Sequence, residues 1–257
     1  SYLGYKPRQY FHIDNGVRDQ LEQYNSIKSR RYTPEAIRLL LGEIDAFARH
    51  THFNVLHPAM LRYRPRLLAL GLELLEEALV DIHDFSSVGE TYAIPGSQDD
   101  ELKTKNVCSW LDIGTITVLY SQSISALQIL WKDGQWKWIK HIENGLVINV
   151  GDALEFLSGG YYKATIHRIV RPPVDQQAYN RLSLFNFCLA DNDVKLVPFS
   201  ESPVLKRAGI LRRFDDQDAP TMEAWRKART SAYGQSQLKA GKVEEEVIAG
   251  VVVEHYN

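Results

Sequence analysis

The sequence is poor in the residues that cross-link small secreted domains or build zinc sites. It has only two cysteines, Cys108 and Cys188, and neither belongs to a Cys-x-x-Cys pair. A disulfide framework and a structural zinc site are therefore both unexpected. A reduced, cytoplasmic setting is the default expectation for such a chain.

Strong charge and long apolar runs are also missing. The net charge is −2 over 257 residues, which gives no reason to expect a nucleic acid or an anionic membrane as a partner. No apolar run reaches the roughly 18 residues that a membrane span needs. The first eight residues are polar and aromatic and do not form a signal-peptide pattern. The remaining composition, with 44% hydrophobic and 24% charged residues, is typical of a globular domain.

Residues 1–84 carry helix signals, and we predict a helical region that packs on the core. The turn Asp14-Asn15-Gly16 predicts a short helix from Val17 to about Tyr24. Thr33-Pro34-Glu35 predicts the start of a second helix, with Thr33 as the cap and Pro34 in the first helical position.

Two prolines, Pro58 and Pro65, are expected to interrupt or kink the chain that follows. A further amphipathic helix is predicted from about Arg66 to Glu77. Its apolar side is expected to carry Leu67, Leu70, Leu74 and Leu75.

From about residue 85 the pattern changes to short β-type runs, which predict a core domain over residues 85–200. Asp133-Gly134 lies between two of these runs and is typical of a tight hairpin. Runs at this spacing, joined by Gly and Pro turns, favour a sandwich or barrel over a parallel α/β sheet. The predicted strands are 115–120, 127–131, 136–141, 146–150, 161–170 and 181–189.

Residues 201–257 are predicted to form a C-terminal helical extension and a tail. Thr221 is placed to cap a helix over residues 222–232, and Gly234 is placed to end it. The apolar run from Val247 to Val253 predicts a final strand or a docked segment.

Four polar residues offer the side-chain types of a non-heme iron site with a bound keto acid. His167 follows Asp112 by 55 residues (167 − 112), and Arg181-Leu182-Ser183 begins 14 residues after that (181 − 167). Histidine and carboxylate side chains are the usual ligands of non-heme Fe(II). An arginine fork pairs with a keto-acid carboxylate, and a serine hydroxyl adds a hydrogen bond. Taken singly, Asp112 would be interpreted as a strand-end carboxylate, His167 as a core histidine and Arg181 as part of a surface ion pair.

In this order and spacing, the chain resembles the isopenicillin N synthase-like branch of the 2-oxoglutarate/Fe(II)-dependent dioxygenase superfamily, especially its fungal members. The resemblance is strongest over residues 85–200. It implies a mainly β, α+β fold with a double-stranded β-helix, or jelly roll, and packed helices. It also implies that Asp112 and His167 hold Fe(II), and that Arg181 and Ser183 hold 2-oxoglutarate.

One position departs from this pattern. Two residues before Asp112, where the branch carries its first iron-ligating histidine, the chain has Trp110, and the segment 107–112 looks about two residues short. Indole nitrogen is a donor only and does not ligate a metal. Loss of a residue that only supports a metal ligand weakens metal binding by about 10–100-fold. Loss of a ligand itself should weaken iron binding by more than this. We expect Trp110 to project into the barrel mouth beside Asp112 and His167.

Other histidines offer weaker readings. His141 can replace the missing ligand only if it points into the barrel. The spacing of His50, His52 and His57 matches no closed four-ligand zinc site, and we expect them to be structural. The hairpin tryptophans Trp131, Trp136 and Trp138 are predicted to pack or to line the substrate cavity.

The resemblance implies an oxidoreductase that hydroxylates, desaturates or closes a ring in a small organic molecule, in a setting such as fungal secondary metabolism. Because Trp110 leaves the triad incomplete, two alternatives stay open. One is a non-redox cyclase, isomerase or dehydratase, and the other is a non-catalytic subunit of an active paralogue. Fold alone does not separate these functions. The expected partners are a small-molecule substrate and either a second copy of the chain or a paralogue.

Overall fold

The computed structural model describes residues 4–6, 12–14, 17–18, 21–27, 57–83, 89–95, 109–110, 112–179, 181, 183–232, 243–248 and 250–256. The strands are β1 (Gly4–Lys6), β2 (His12–Asp14), β3 (Val17–Arg18), β4 (Leu21–Ile27), β5 (Gly89–Pro95), β6 (Ser109–Trp110), β7 (Ile116–Tyr120), β8 (Leu127–Leu130), β9 (Trp136–Trp138), β10 (Leu146–Val150), β11 (His167–Ile169), β12 (Ser183–Cys188), β13 (Val243–Ile248) and β14 (Val251–Tyr256). The helices are α1 (His57–Gly71), α2 (Asp152–Leu157), α3 (Pro203–Ala208) and α4 (Met222–Ala232), with a 3-10 turn at Val174–Gln176.

Two antiparallel sheets form the body of the fold. The larger sheet has the strand order β1-β4-β5-β12-β7-β10, and the smaller sheet has the order β6-β11-β8-β9. Helices pack against this β structure, so the predicted α+β fold with a jelly-roll core is confirmed.

The two faces of β7 have different environments. Ile116 and Val118 point to one face, where they pack in a buried cluster with Ala69 of α1 and Leu154 of α2. Because side chains alternate along a strand, Thr117 points to the opposite face. The helices therefore cover one face of the larger sheet and leave the other face for the candidate site.

Helix α1 begins and ends earlier than predicted. Pro58 is its second residue, where the missing N–H has no intrahelical acceptor anyway. Pro65 lies inside the helix and removes only one hydrogen bond of the i to i−4 series. The predicted interruption at these two prolines is therefore wrong, and the alternative of a kink stays a prediction. The helix ends at Gly71, and Glu73 has a positive φ of 53° that turns the chain away.

The buried stripe of α1 also differs from the prediction. Pro65, Ala69 and Leu72 are buried, at a spacing of four and then three residues, which matches one face of a helix. The predicted apolar face is wrong for three of its four leucines, because these point to solvent. Their exposed fractions are 67% for Leu67, 48% for Leu70 and 85% for Leu75.

The helix predicted from Val17 to about Tyr24 is wrong. The described residues of this range belong to β3 and β4, and β4 pairs with β1 on one side and with β5 on the other. Hydrogen bonds along both edges of β4 outweigh the local turn signal that suggested a helix. Strands from this region thus extend the larger sheet, although the boundary at residue 84 stays a prediction. The helix predicted from Thr33 lies outside the described residues.

Within the predicted core, the hairpin at Asp133-Gly134 is confirmed. It joins β8 to β9, and Gly134 has a φ of +75°, which favours glycine. Residues 146–150 form β10 as predicted. The run predicted as a strand over 161–170 forms a strand only at His167–Ile169, because residues 161–162 form a bend and residues 163–166 have no regular structure.

The C-terminal helix prediction is also confirmed. Helix α4 covers Met222–Ala232, and the Thr221 hydroxyl oxygen accepts a hydrogen bond from the Ala224 N–H at 3.3 Å. The apolar tail forms a hairpin of β13 and β14 rather than one strand, and Gly234 lies outside the described residues. No helix in the described part of the chain is long and apolar enough to cross a membrane.

The chain segments 112–115 and 151–153 approach each other with no side chain between them. Amide groups of Gly151, Asp152 and Ala153 donate to the carbonyl oxygens of Thr115, Asp112 and Gly114 at 3.0, 2.7 and 3.0 Å. A Cβ on Gly151 would lie 2.4 Å from the Gly114 oxygen and 2.5 Å from the Asp112 oxygen. Only glycine fits at position 151.

We therefore expect Gly151→Ala to lower the free energy of unfolding by about 3 kcal/mol, because the two backbones must separate. The control is Gly134→Ala, where no heavy atom lies within 4 Å of the added Cβ. That variant should lose only about 1 kcal/mol, from its positive φ. Urea unfolding measures both values, and equal losses would contradict the close approach at Gly151.

Candidate functional site

The structure brings Asp112 and His167 together, as predicted. Asp112 lies in the loop between β6 and β7, and His167 is the first residue of β11. His167 Nε2 and Asp112 Oδ1 are 3.8 Å apart, the carboxylate is buried and the imidazole is partly buried. Metal–nitrogen and metal–oxygen bonds of about 2.1 Å each add up to more than this separation. One cation can therefore contact both atoms.

Neighbouring groups orient both side chains. His167 Nδ1 is 2.9 Å from the Thr165 carbonyl oxygen, which only accepts hydrogen bonds. Nδ1 therefore carries the proton, and the lone pair of Nε2 faces Asp112. The Asn149 side-chain amide donates to Asp112 Oδ2 at 2.6 Å, which leaves Oδ1 for a cation. The donor set fits a divalent cation at two positions.

The structure does not show a third protein ligand for the metal among the described residues. Trp110 is the backbone partner of His167 in the β6–β11 pairing, so position 110 lies directly across from this histidine. The side chain of Trp110 lies outside the described part of the structure. Its predicted projection into the barrel mouth therefore stays a prediction. Among the described residues, no group of three or more His, Cys, Asp or Glu can hold a metal.

Other histidines do not complete the site. His141 is exposed, and its Nδ1 is 2.9 Å from the Ser121 hydroxyl, so the alternative in which it supplies the missing ligand is wrong. His50, His52 and the side chain of His57 lie outside the described residues.

Arg181 and Ser183 form the second half of the site. Both are buried, with exposed fractions of 5% and 4%, and they lie just before and at the start of β12. Burial lowers the pKa of the Arg181 guanidinium to about 10, which leaves it a cation at neutral pH. Arg181 Nε is buried and has no hydrogen-bond partner among the described residues. A buried cation with an unused donor fits an anionic ligand such as a carboxylate.

Gln122 links these two residues and was not predicted from the sequence. Arg181 Nη2 donates to its Oε1, and its Nε2 donates to the Ser183 hydroxyl oxygen. Gln122 lies two residues after the end of β7. A glutamine in a loop carries no sequence signal of such a contact.

The wall between the two halves comes from β7 and β12. Phe187 pairs with Thr117, Phe185 pairs with Leu119, and Ser183 follows on the same face of β12. Asn149 pairs with Thr117 from the other side and reaches Asp112, so this face looks into the candidate site. Between Ser183 and Asn149 the wall is apolar apart from Thr117, whose buried hydroxyl has no partner among the described residues.

The hairpin tryptophans lie away from this wall. Arg168 follows His167 on β11 and so points to the opposite face of the smaller sheet. Its guanidinium lies 4.1 Å from the centroid of the Trp136 ring, and its Nε donates to the Gln128 side chain at 2.8 Å. Trp136 therefore packs against Arg168, and Trp131 and Trp138 are about half exposed.

Comparisons with known proteins show what the part of the chain that carries these residues is similar to. Residues 84–190, which include both halves of the site, match the 2OG-Fe(II) oxygenase superfamily. That superfamily is named for its use of 2-oxoglutarate and Fe(II).

Two curated relatives extend the similarity. The 2-oxoglutarate-dependent dioxygenase FG08081 of Gibberella zeae is 29% identical over 202 residues, which cover 76% of this chain and 58% of the relative. Scopoletin 8-hydroxylase of Arabidopsis thaliana is 32% identical over 143 residues, which cover 56% of this chain and 38% of the relative. The chain thus spans less than two thirds of the length of these relatives.

Solved structures share the fold. A full-length Neurospora crassa protein in complex with alpha-KG has a TM-score of 0.69 at 18% identity, covering 89% of this chain and 75% of that one. The rice dioxygenase for auxin oxidation has a TM-score of 0.64 at 19% identity, covering 98% of this chain and 76% of that one. At these identities the likeness shows the architecture alone.

The unpartnered hydroxyl of Thr117 leads to a stability prediction. Thr117→Val should raise the free energy of unfolding of the ligand-free protein by about 1 kcal/mol, because a buried polar group without a partner is costly. The control is Thr115→Val. The Thr115 hydroxyl lies 2.8 Å from His83 Nε2 and 3.1 Å from the Cys188 carbonyl oxygen.

Thr115→Val should therefore lower the free energy of unfolding by about 1–3 kcal/mol, since it leaves buried partners unsatisfied. Thermal and urea unfolding of both variants measure the difference. A loss of stability in Thr117→Val as large as that in Thr115→Val would show that the Thr117 hydroxyl is paired in solution.

Proposed function

We propose that the chain is a 2-oxoglutarate/Fe(II)-dependent oxygenase of the isopenicillin N synthase-like branch, acting on a small organic molecule. The observation that carries this proposal is the pairing of two half-sites on one wall. A carboxylate and an imidazole with free ligand atoms lie near the start of β7, and a buried arginine lies beyond its end. The Gibberella zeae relative is a 2-oxoglutarate-dependent dioxygenase, which supports the cosubstrate, and the setting in fungal secondary metabolism stays a prediction.

The residues divide the work between them. Asp112 and His167 would hold the iron, and Arg181 and Ser183 would hold the 2-oxoglutarate carboxylate. When bound, the iron and 2-oxoglutarate supply, together with O₂, the oxidising chemistry of the reaction. Asn149 keeps Asp112 Oδ1 turned to the site, and the apolar wall of Leu119, Phe185 and Phe187 excludes water from the reacting region.

The iron half of the site also favours a second candidate function. We propose that Trp110 takes the place of the first iron ligand, since it is the backbone partner of His167. Two protein ligands hold iron less tightly than three. A non-redox cyclase, isomerase or dehydratase, or a non-catalytic subunit of an active paralogue, would tolerate this loss. The cytoplasmic setting and the second subunit stay predictions.

An anaerobic titration with Fe(II) and 2-oxoglutarate tests the oxygenase. We expect one iron per chain and a charge-transfer absorption that appears only when both are present. Arg181→Ala should abolish the response to 2-oxoglutarate, because the buried cation that pairs with the carboxylate is removed. The control is Arg171→Ala, which changes an exposed arginine and should leave the absorption intact.

The possible outcomes separate the candidates. Absence of both iron binding and absorption at millimolar ligand would exclude the oxygenase. Substrate conversion that survives a chelator would then support the non-redox enzyme. Turnover that requires a co-expressed partner would support the subunit.

Trp110→His tests the ligand position. If the backbone pairing with His167 places this residue at the metal, Fe(II) affinity should rise by more than about tenfold, because a third protein ligand is added. The control is Trp138→His on β9. Position 138 pairs with Gln128 in the same row as Arg168, on the face opposite His167. Equal metal affinity in the two variants would contradict the assignment of position 110.

A further inference from the structure

We propose that Gln122 is a built-in competitor for the 2-oxoglutarate carboxylate, and that it sets the affinity of the chain for this cosubstrate. The inference rests on the proposed function, in which Arg181 and Ser183 bind the carboxylate. It concerns a residue that belongs to neither half of the predicted site.

The contacts of Gln122 match those that a carboxylate would make. Its Oε1 accepts from Arg181 Nη2, and its Nε2 contacts the Ser183 hydroxyl. A carboxamide and a carboxylate share the same planar shape, with two polar atoms on one carbon. The glutamine side chain therefore occupies both contact points that the arginine and the serine offer to a carboxylate.

The same contacts show why the amide gives way. An amide is neutral and presents one oxygen to the guanidinium, and Arg181 Nε remains without a partner among the described residues. A carboxylate presents two oxygens and the opposite charge, so it can engage two donors of the arginine fork. The incoming anion thus forms the stronger pair, and the cost of displacing Gln122 lowers its net affinity.

The backbone around Gln122 allows this exchange by rotation of one side chain. The Ser121 hydroxyl contacts His141 and accepts from the Ile142 N–H at 3.0 Å. Three residues after Gln122, the Ser125 N–H donates to the Gln176 side chain at 2.7 Å. Because the loop is anchored on both sides of Gln122, the amide can leave Arg181 without movement of the strands.

Calorimetric titration of the metal-free protein with 2-oxoglutarate and with glutarate tests the inference. Glutarate lacks the keto group, so it reports on the carboxylate pocket without any contribution from a metal. Gln122→Ala should tighten binding of both acids by about three- to tenfold, the value of one or two net hydrogen bonds. Gln122→Glu should weaken both by about tenfold or more, because its own carboxylate pairs with Arg181.

The matched control is Gln135→Ala, which makes the same change at an exposed glutamine in the β8–β9 turn. Its dissociation constants should equal those of the unaltered protein. Thermal unfolding provides a second readout. Ligand-free Gln122→Ala should melt at a lower temperature, because Arg181 loses its partner. The same variant should gain more in melting temperature when 2-oxoglutarate is added, because it binds more tightly.

The outcomes distinguish this inference from the proposed function. If Arg181→Ala abolishes binding but Gln122→Ala leaves it unchanged or weaker, Gln122 is not a competitor, and the function stands. If neither the unaltered protein nor Gln122→Ala binds either acid at millimolar concentration, both the inference and the 2-oxoglutarate assignment are overturned. If Gln122→Ala binds both acids more tightly and gains more in melting temperature, the competitor role is supported.

Discussion

The close approach of segments 112–115 and 151–153 is the constraint on which the rest of the site depends. Three backbone hydrogen bonds join them, and the carbonyl groups of Asp112 and Gly114 leave no room for a side chain at position 151. The same contact begins helix α2, whose residues Ala153 and Leu154 are fully or almost fully buried. The backbone of Asp112, one of the two candidate metal ligands, is thereby anchored to the hydrophobic core.

On this anchored backbone, the side-chain contacts determine which ligand atoms remain available to a cation. Asp112 has two carboxylate oxygens, and Asn149 uses one of them. His167 has two ring nitrogens, and the Thr165 carbonyl oxygen uses one of them. Each of these two residues is left with one ligand atom that has no hydrogen-bond partner among the described residues, and these two atoms lie close enough for a single cation. A pair assembled only for stability would have no need to leave both atoms free.

The sequence predicted the parts of this site that chemistry dictates. Asp112, His167, Arg181 and Ser183 were predicted because a metal and a keto acid favour those residue types, and because their order and spacing resemble those of a known superfamily. Gln122 and Asn149 act through geometry that only strand pairing creates, so a one-dimensional pattern holds no trace of their contacts. The misread β4 and the helix that continues through Pro65 have a similar cause, since long-range pairing and packing outweighed local signals.

The two halves of the site are unequally complete, and the more complete half can be judged independently of the other. A buried guanidinium is costly unless a partner compensates its charge, and a neutral amide such as Gln122 compensates it only in part. A chain that bound no anion there would be more stable with an apolar residue at position 181. The burial of Arg181 therefore argues for an anionic ligand whether iron is held by two side chains or three. The proposed keto-acid pocket and the proposed metal position are separable features of this part of the chain, and Trp110 bears only on the second.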